Sequence, residues 1–197
     1  PTSPYRRMDA AAVGSLACSY PLALWEPRAP RVLATIEFLL GNCMIEDLFF
    51  MDITHSGFNA YLTLWIAQVL LRAGDTRFFP LVRAVAGAAS STGQWPEAIH
   101  PGTGGGCMGD GQHAWASAEW IMMMRNMFLR EEPGRLILCS GIPWEWVAAG
   151  QSLSFGPTLT PYGPIRVAVE FTAGDALVSW EHDGRDLPQV VEVHLAG

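Results

Sequence analysis

The chain has 197 residues, enough for one large domain or one domain with a small appendage; half of them are hydrophobic and only 16% are charged. Eight Trp and nine Phe in so apolar a chain exclude intrinsic disorder. A net charge of −7 with no basic cluster argues against nucleic acid as a partner, and the 12 cations are all Arg, which removes Schiff-base and P-loop lysine chemistry.

Taken in chain order, helical periodicity dominates first. A helix is expected from about Asp9, a plausible N-cap, through Cys18, stopping before Pro21. A second follows Pro30, with Val32, Ile36, Leu39 and Leu40 on one face, and ends near Gly41-Asn42. From Gly57 to Ala73 the pattern is apolar nearly all round, with Gly74 as the stop, so this helix belongs inside an assembly of helices. Asp75-Thr-Arg77 opens the next, carrying Phe78, Leu81, Val82 and Val85 to about Gly93, and the short connection makes the pair an antiparallel hairpin. A long loop from Gly93 to Gly111 precedes a helix from about Gln112 to Leu129. Beyond Pro133 the texture is strand-like: 135–139, 153–155, 165–171, 176–180 and 190–195 alternate or are β-branched, between Gly-Pro and Asp-Gly turns. The expected organisation is therefore a helical part, 1–133, followed by a small antiparallel β part, 134–197.

Mean hydropathy is +0.19, yet Gln68, Arg72, Glu119 and Arg125 interrupt the apolar stretches before the roughly 20 residues a bilayer requires. A soluble chain with no membrane partner is expected. Its first residues, Pro1 to Arg7, carry neither an initiator Met nor a signal-peptide run, which reads as a processed or truncated piece. Cys18, Cys43, Cys107 and Cys139 form no C-x-x-C pair, so free thiols in a reducing, cytoplasmic setting are expected, with two disulfides as the other reading.

The segment from Gly93 to His113 concentrates the candidate chemistry. It holds Glu97, His100, Asp110 and His113 among glycines, with Trp95 and Trp115 at its flanks. Glycines admit a ligand close to the backbone, aromatic faces suit sugar rings, and a carboxylate suits acid or base work. Pro96-Glu97 reads equally as an ordinary helix start, with the glycines building a turn. The Gly-rich run lacks a preceding strand and any G-x-G-x-x-G pattern, so phosphate binding has little support. His100, Cys107, Asp110 and His113 fit no standard zinc spacing, and no metal is expected. A second polar cluster, Asp52, His55 and Asn59, precedes the most apolar helix and either faces the same groove as Glu97 or caps that helix.

Several stretches, in order, resemble the C-terminal half of the catalytic domain of glucoamylase-type glycoside hydrolases. They are Arg7-Met-Asp-Ala-Ala-Ala-Val-Gly-Ser-Leu16, Pro30-Arg-Val-Leu-Ala-Thr-Ile36, Gly57-Phe-Asn-Ala-Tyr-Leu-Thr-Leu-Trp-Ile-Ala67 with Ala73-Gly74, and Ser90-Ser-Thr-Gly-Gln-Trp-Pro-Glu97. Gly102-Thr-Gly104, Met108-Gly-Asp110 and Ala114-Trp115 continue the match, which covers about residues 7 to 130. The resemblance implies a mainly α fold: part of an (α/α)6 toroid of helical hairpins, here followed by the small β domain. It implies that Glu97 is the general base of an inverting hydrolysis of an α-glycosidic bond, with no cofactor. It also implies a carbohydrate substrate met by Trp95, His100, Asp110, His113, Trp115, Asp52, His55 and Asn59. The family's general acid lies in an earlier hairpin, so a missing N-terminal segment or another chain is expected to complete the ring; Asp52 and Asp110 are the substitutes within this chain. Ala98 follows Glu97 where many family members carry a polar residue. The β segment after the helices looks more like the caps of rhamnosidases. A non-catalytic carbohydrate-binding module or a structural fragment of a larger glycosidase is the other reading.

Overall fold

The structure, a computed structural model, describes residues 8–52, 56–148, 150–184 and 186–195. Among them five helices account for 35% and strands for 28%, the strands forming three sheets, so the chain is mixed α/β. This corrects the expected mainly α fold, a partial (α/α)6 toroid with strands confined to an antiparallel tail. Contacts divide the chain into two compact units, 1–121 and 122–197; the change of texture read from the sequence falls later, at Pro133-Gly134.

In the first unit, α1 (Met8–Ser15) tightens into a 3-10 turn, Leu16–Cys18, before α2 (Pro30–Asn42). Pro30 occupies the first turn of α2, where its missing N–H costs nothing, and Val32, Ile36 and Leu39 are the buried stripe. Then come β1 (Met44–Ile45), β2 (Leu48–Met51) and β3 (Gly57–Phe58), which leads into α3 (Ala60–Ala73) and α4 (Phe78–Gly87). Twelve residues of α3 are buried, including Thr63 and Gln68, as its all-round apolarity requires. Gly74 ends it in the left-handed conformation at φ 69°, its N–H bonded to the Leu70 and Leu71 carbonyls. The covering of α3 is not helical alone: α4 and α1 pack on it, and so does β2.

The expected loop from Gly93 to Gly111 folds into β4 (Ala98–Ile99) and β5 (Gly106–Met108), which precede α5 (Ala114–Phe128). β1 to β5 form one sheet in sequence order, antiparallel throughout, with Phe50 opposite Phe58, Phe58 opposite Ile99, and Ala98 opposite Met108. These strands are two to four residues long, too short to display a period of two, and that is why helical periodicity alone appeared in this half of the sequence.

The second unit contains β6 (Leu129–Glu132), β7 (Arg135–Leu138), β8 (Ser152–Thr160), β9 (Gly163–Phe171), β10 (Ala176–His182) and β11 (Val190–Val193). β8, β9 and β10 form an antiparallel sheet with β9 central; β6 and β7 form a hairpin to which β11 adds in parallel, so the expected purely antiparallel domain is corrected to a mixed one. Leu136, Leu138, Ile142, Ile165, Val167, Val169 and Phe171 make its core with Cys139, whose thiol burial pushes up to about 12. Glu131 pairs with Arg125, and Glu132 with Arg130 and Arg135, so this acidic pair is engaged in ion pairs. All four cysteines are free: Cys139 is buried, Cys18 and Cys43 are half-buried, and Cys107 is exposed. No helix among the described residues is long and apolar enough to cross a membrane.

The β3–β4 contact leaves no room for a side chain at Gly57, where a Cβ would lie 2.7 Å from the Ile99 carbonyl oxygen and 3.3 Å from the Ala98 Cβ. Gly57→Ala should therefore lower stability by about 1–3 kcal/mol, the usual cost of overpacking. Urea denaturation checks this; an unchanged midpoint would mean that the pairing gives way freely.

Candidate functional site

Two connections bring the Glu97 segment to the start of α3. Opposite Phe58, Ile99 sets β4 beside β3, so the residues just before β4 run along the first turn of α3. The His113 N–H then donates to the Trp95 carbonyl at 2.8 Å, tying the entrance of α5 to the same segment. Trp95 is the anchor: it is 3% exposed, its indole N–H donates to the Val85 carbonyl at 2.8 Å, and its ring lies 5.4 Å from that of Trp120. Burial in this packing removes Trp95 from any sugar-facing surface. Gly109, at φ 80°, brings the chain after β5 against Glu97, since a Cβ there would meet the Glu97 Cβ and backbone N at 3.3 Å.

Glu97 is half-buried and lies within electrostatic reach of Tyr61, on the first turn of α3. The Tyr61 phenol titrates above its ordinary value, first because it is buried and second because the Glu97 charge opposes a second negative charge nearby. Its ring lies 4.9 Å from that of His113 and 4.7 Å from that of Trp115, the latter inclined by 33°. Trp65, one helical turn beyond Tyr61, meets Trp115 edge-on at 5.5 Å. The Nδ1 atom of His113 is buried with no hydrogen-bond partner among the described residues. Trp115, resting on two aromatic rings, is still 45% exposed. A half-exposed indole beside a half-buried carboxylate and a tyrosine is an arrangement that can hold the C–H face of a ring while a polar group meets its edge.

A second carboxylate meets the N–H edges of these indoles. Glu119, one turn after Trp115 on α5, accepts the indole N–H of Trp65 at 2.8 Å and that of Trp115 at 3.3 Å on Oε1, and the Tyr20 hydroxyl at 3.1 Å on Oε2. The Arg72 guanidinium lies 4.8 Å over the Tyr20 ring and donates to Gln68 Oε1 at 3.1 Å. Tyr61, Trp65 and Glu119 were passed over as site residues in the sequence, where the first two counted only as helix-forming apolar positions and Glu119 only as an interruption. Their signal is the pair of i, i+4 spacings, Tyr61/Trp65 and Trp115/Glu119, which place each pair on one helix face.

Of the remaining expected residues, Asp110 directly follows the Gly109 that packs on Glu97, and the others lie elsewhere. His100 is exposed at the β4–β5 turn, its Nδ1 accepting the Gly102 N–H at 3.1 Å. Asp110 is exposed in a turn, with Oδ1 accepting the Gln112 N–H at 3.0 Å. Asp52 is exposed just after β2, and its N–H donates to Asp9 Oδ2 at 3.3 Å. The β2–β3–β4 register sets Asp52 and Glu97 at opposite ends of these strands, some four residues or about 13 Å apart along the strand direction. Asn59 is fully buried; its amide donates to the Gly57 carbonyl at 2.8 Å and its backbone carbonyl accepts the Thr63 hydroxyl at 2.8 Å, a local fastening of the β3–α3 junction. His55 lies outside the described residues. No group of His, Cys, Asp and Glu suited to a metal ion is formed among the described residues.

No family model, curated protein or solved structure matches the chain.

The coupling between Glu97 and Tyr61 is open to measurement. Because the phenol's folded value is raised, Tyr61 contributes stability that is fully present below the ordinary tyrosine range, about pH 10, and is lost as pH rises through the raised value. Glu97→Gln should move the Tyr61 ionisation down part of the way and leave the larger effect of burial in place. Ultraviolet difference titration against Tyr61→Phe isolates this phenol; an unmoved titration would separate Glu97 from the aromatic cluster.

Proposed function

We propose that the first unit carries a saccharide site and that the chain works as a glycoside hydrolase with Glu97 as general base. A pyranose ring lies against Trp115, and Glu97 takes a proton from a water that attacks the anomeric carbon of an α-linked sugar, with inversion. The observation that carries this reading is the grouping of Glu97, Tyr61, His113 and the half-exposed Trp115 around one aromatic surface. Stacking supplies affinity for the ring's apolar face, the half-buried His113 offers a hydroxyl partner, and the carboxylate supplies the base. The resemblance of the Ser90–Glu97 stretch to glucoamylase-type hydrolases is what suggests the role of base for Glu97.

An inverting reaction also needs a general acid about 6.5–9.5 Å from the base. Asp110 is engaged in its own turn, and Asp52 lies at the far end of the strands from Glu97. The acid is then Asp110, which follows the Gly109 that packs on Glu97, or comes from a segment or second chain that joins this one. The same observation favours one other reading, a carbohydrate-binding module in which Glu97 orients a sugar hydroxyl. Four free thiols support a reducing compartment such as the cytoplasm.

Glu97→Gln should lower maltooligosaccharide hydrolysis by about a hundredfold or more, the usual loss on removing a general base, and leave binding measured by calorimetry essentially intact. Trp115→Ala should do the reverse, weakening binding first. Normal turnover by Glu97→Gln would remove this residue from the mechanism, and a wild type that binds without turnover would establish the binding module.

A further inference from the structure

Trp115 is a large apolar side chain left 45% exposed, and an exposed indole held only by ring contacts has several rotamers of similar energy. Here the ring is also fixed at its N–H edge. Glu119, only 9% exposed, takes the Trp115 and Trp65 indole N–H groups on one oxygen and the Tyr20 hydroxyl on the other. The donors come from three separate elements: α5, α3, and the segment following the 3-10 turn after α1. Tyr20 is in turn covered by the Arg72 guanidinium, 4.8 Å from the centre of its ring.

A carboxylate so surrounded has a geometric consequence. Hydrogen bonds to a charged acceptor are directional and stronger than neutral ones; the Trp65 bond is short at 2.8 Å and the Trp115 bond longer at 3.3 Å, and together on one oxygen they restrict how the two rings turn. The Trp65 and Trp115 rings stand at 65°, with Tyr61 inclined by 33° to Trp115, so that the three rings form one platform next to Glu97. We propose that Glu119 is a positioning residue that locks Trp115 into the orientation in which it stacks on a saccharide ring. It touches no substrate and acts through the indoles. This inference rests on the saccharide reading for its ligand, but the clamp itself is a property of the free protein.

The test uses the full chain in two measurements. Indole proton exchange, read by nitrogen-correlated NMR and assigned with Trp65→Phe and Trp115→Phe, reports the clamp without any sugar. In the wild type the Trp115 N–H should exchange more slowly than that of Trp25, which is 46% exposed; equal rates overturn the clamp. Glu119→Met keeps the volume but no acceptor, and should abolish the protection of both indoles. It should also weaken maltoheptaose binding by about tenfold, what the loss of a hydrogen bond to a charged acceptor costs. Glu119→Gln retains an oxygen for the two indoles and an amide for the Tyr20 oxygen, and should restore most of both. A Glu119→Met protein with wild-type affinity, or a Glu119→Gln protein as impaired as Glu119→Met, overturns the proposal. If Glu119→Met does not fold, the wild-type exchange rates and the Glu119→Gln affinity still decide it. A wild type with a protected Trp115 that binds no maltoheptaose overturns the saccharide reading and leaves the clamp standing.

Discussion

The backbone pairing of Phe58 with Ile99 determines where everything in the first unit meets. Residues 57–61 and 95–99 are far apart in the chain, and neither stretch forms a strand longer than two residues. Pairing them puts the carboxylate that precedes β4 next to the first turn of α3, and the packed environment of α3 then dictates what that carboxylate faces. The pairing depends on close approach: Gly57 gives way to the Ile99 carbonyl on one side, and Gly109 gives way to Glu97 on the other. Two strands of this length have little stability of their own. They persist because Asn59 fastens the junction to α3 and because α3 itself is buried along most of its length.

A buried helix and an exposed indole are linked by one charged group. α3 presents Tyr61 and Trp65 on the same side as Arg72, a spacing of one turn and then two, and α5 answers with Trp115 and Glu119 one turn apart. Burying a carboxylate is costly unless its lone pairs are satisfied, and each hydrogen bond to a charged acceptor returns roughly 1.5–3 kcal/mol. With three donors around it, Glu119 recovers that cost and converts it into fixed ring positions. Removing the acceptor would leave the Trp65 N–H without its partner, so the carboxylate and the rings belong to a single unit.

Long elements were legible in the sequence. The helices from Pro30, through the 60s and 70s, and after Gly111, along with the strands 135–138, 163–171 and 176–182, follow their periods closely enough to be read directly. The five short strands were not, since two residues carry no period; the glycine-rich loop therefore looked unstructured and the fold looked mainly helical. The site was legible in part. Glu97, His113 and Trp115 were singled out by residue type and the structure brings them together, whereas Trp95 has the same composition but serves as an internal anchor. For Tyr61, Trp65 and Glu119 the i, i+4 spacings put each pair on one helix face but do not say whether that face lies in the core or at its edge. Only the meeting of α3 with α5 makes that distinction.

Glu97 and Glu119 are the same residue type next to one aromatic cluster, yet their surroundings differ. A carboxylate has about four acceptor positions. On Glu119 three are taken by protein donors, and the group is 9% exposed, so almost nothing remains to take a proton from a water or to meet a sugar hydroxyl. Glu97 is half-buried at the edge of the platform, with a glycine instead of a side chain closing on it from the β5 side. Its charge acts on Tyr61, and its half-buried side chain can be reached from solvent. Access thus separates the two carboxylates: the buried one is held by three protein donors and fixes ring positions, and the half-buried one is the candidate for the proposed chemistry.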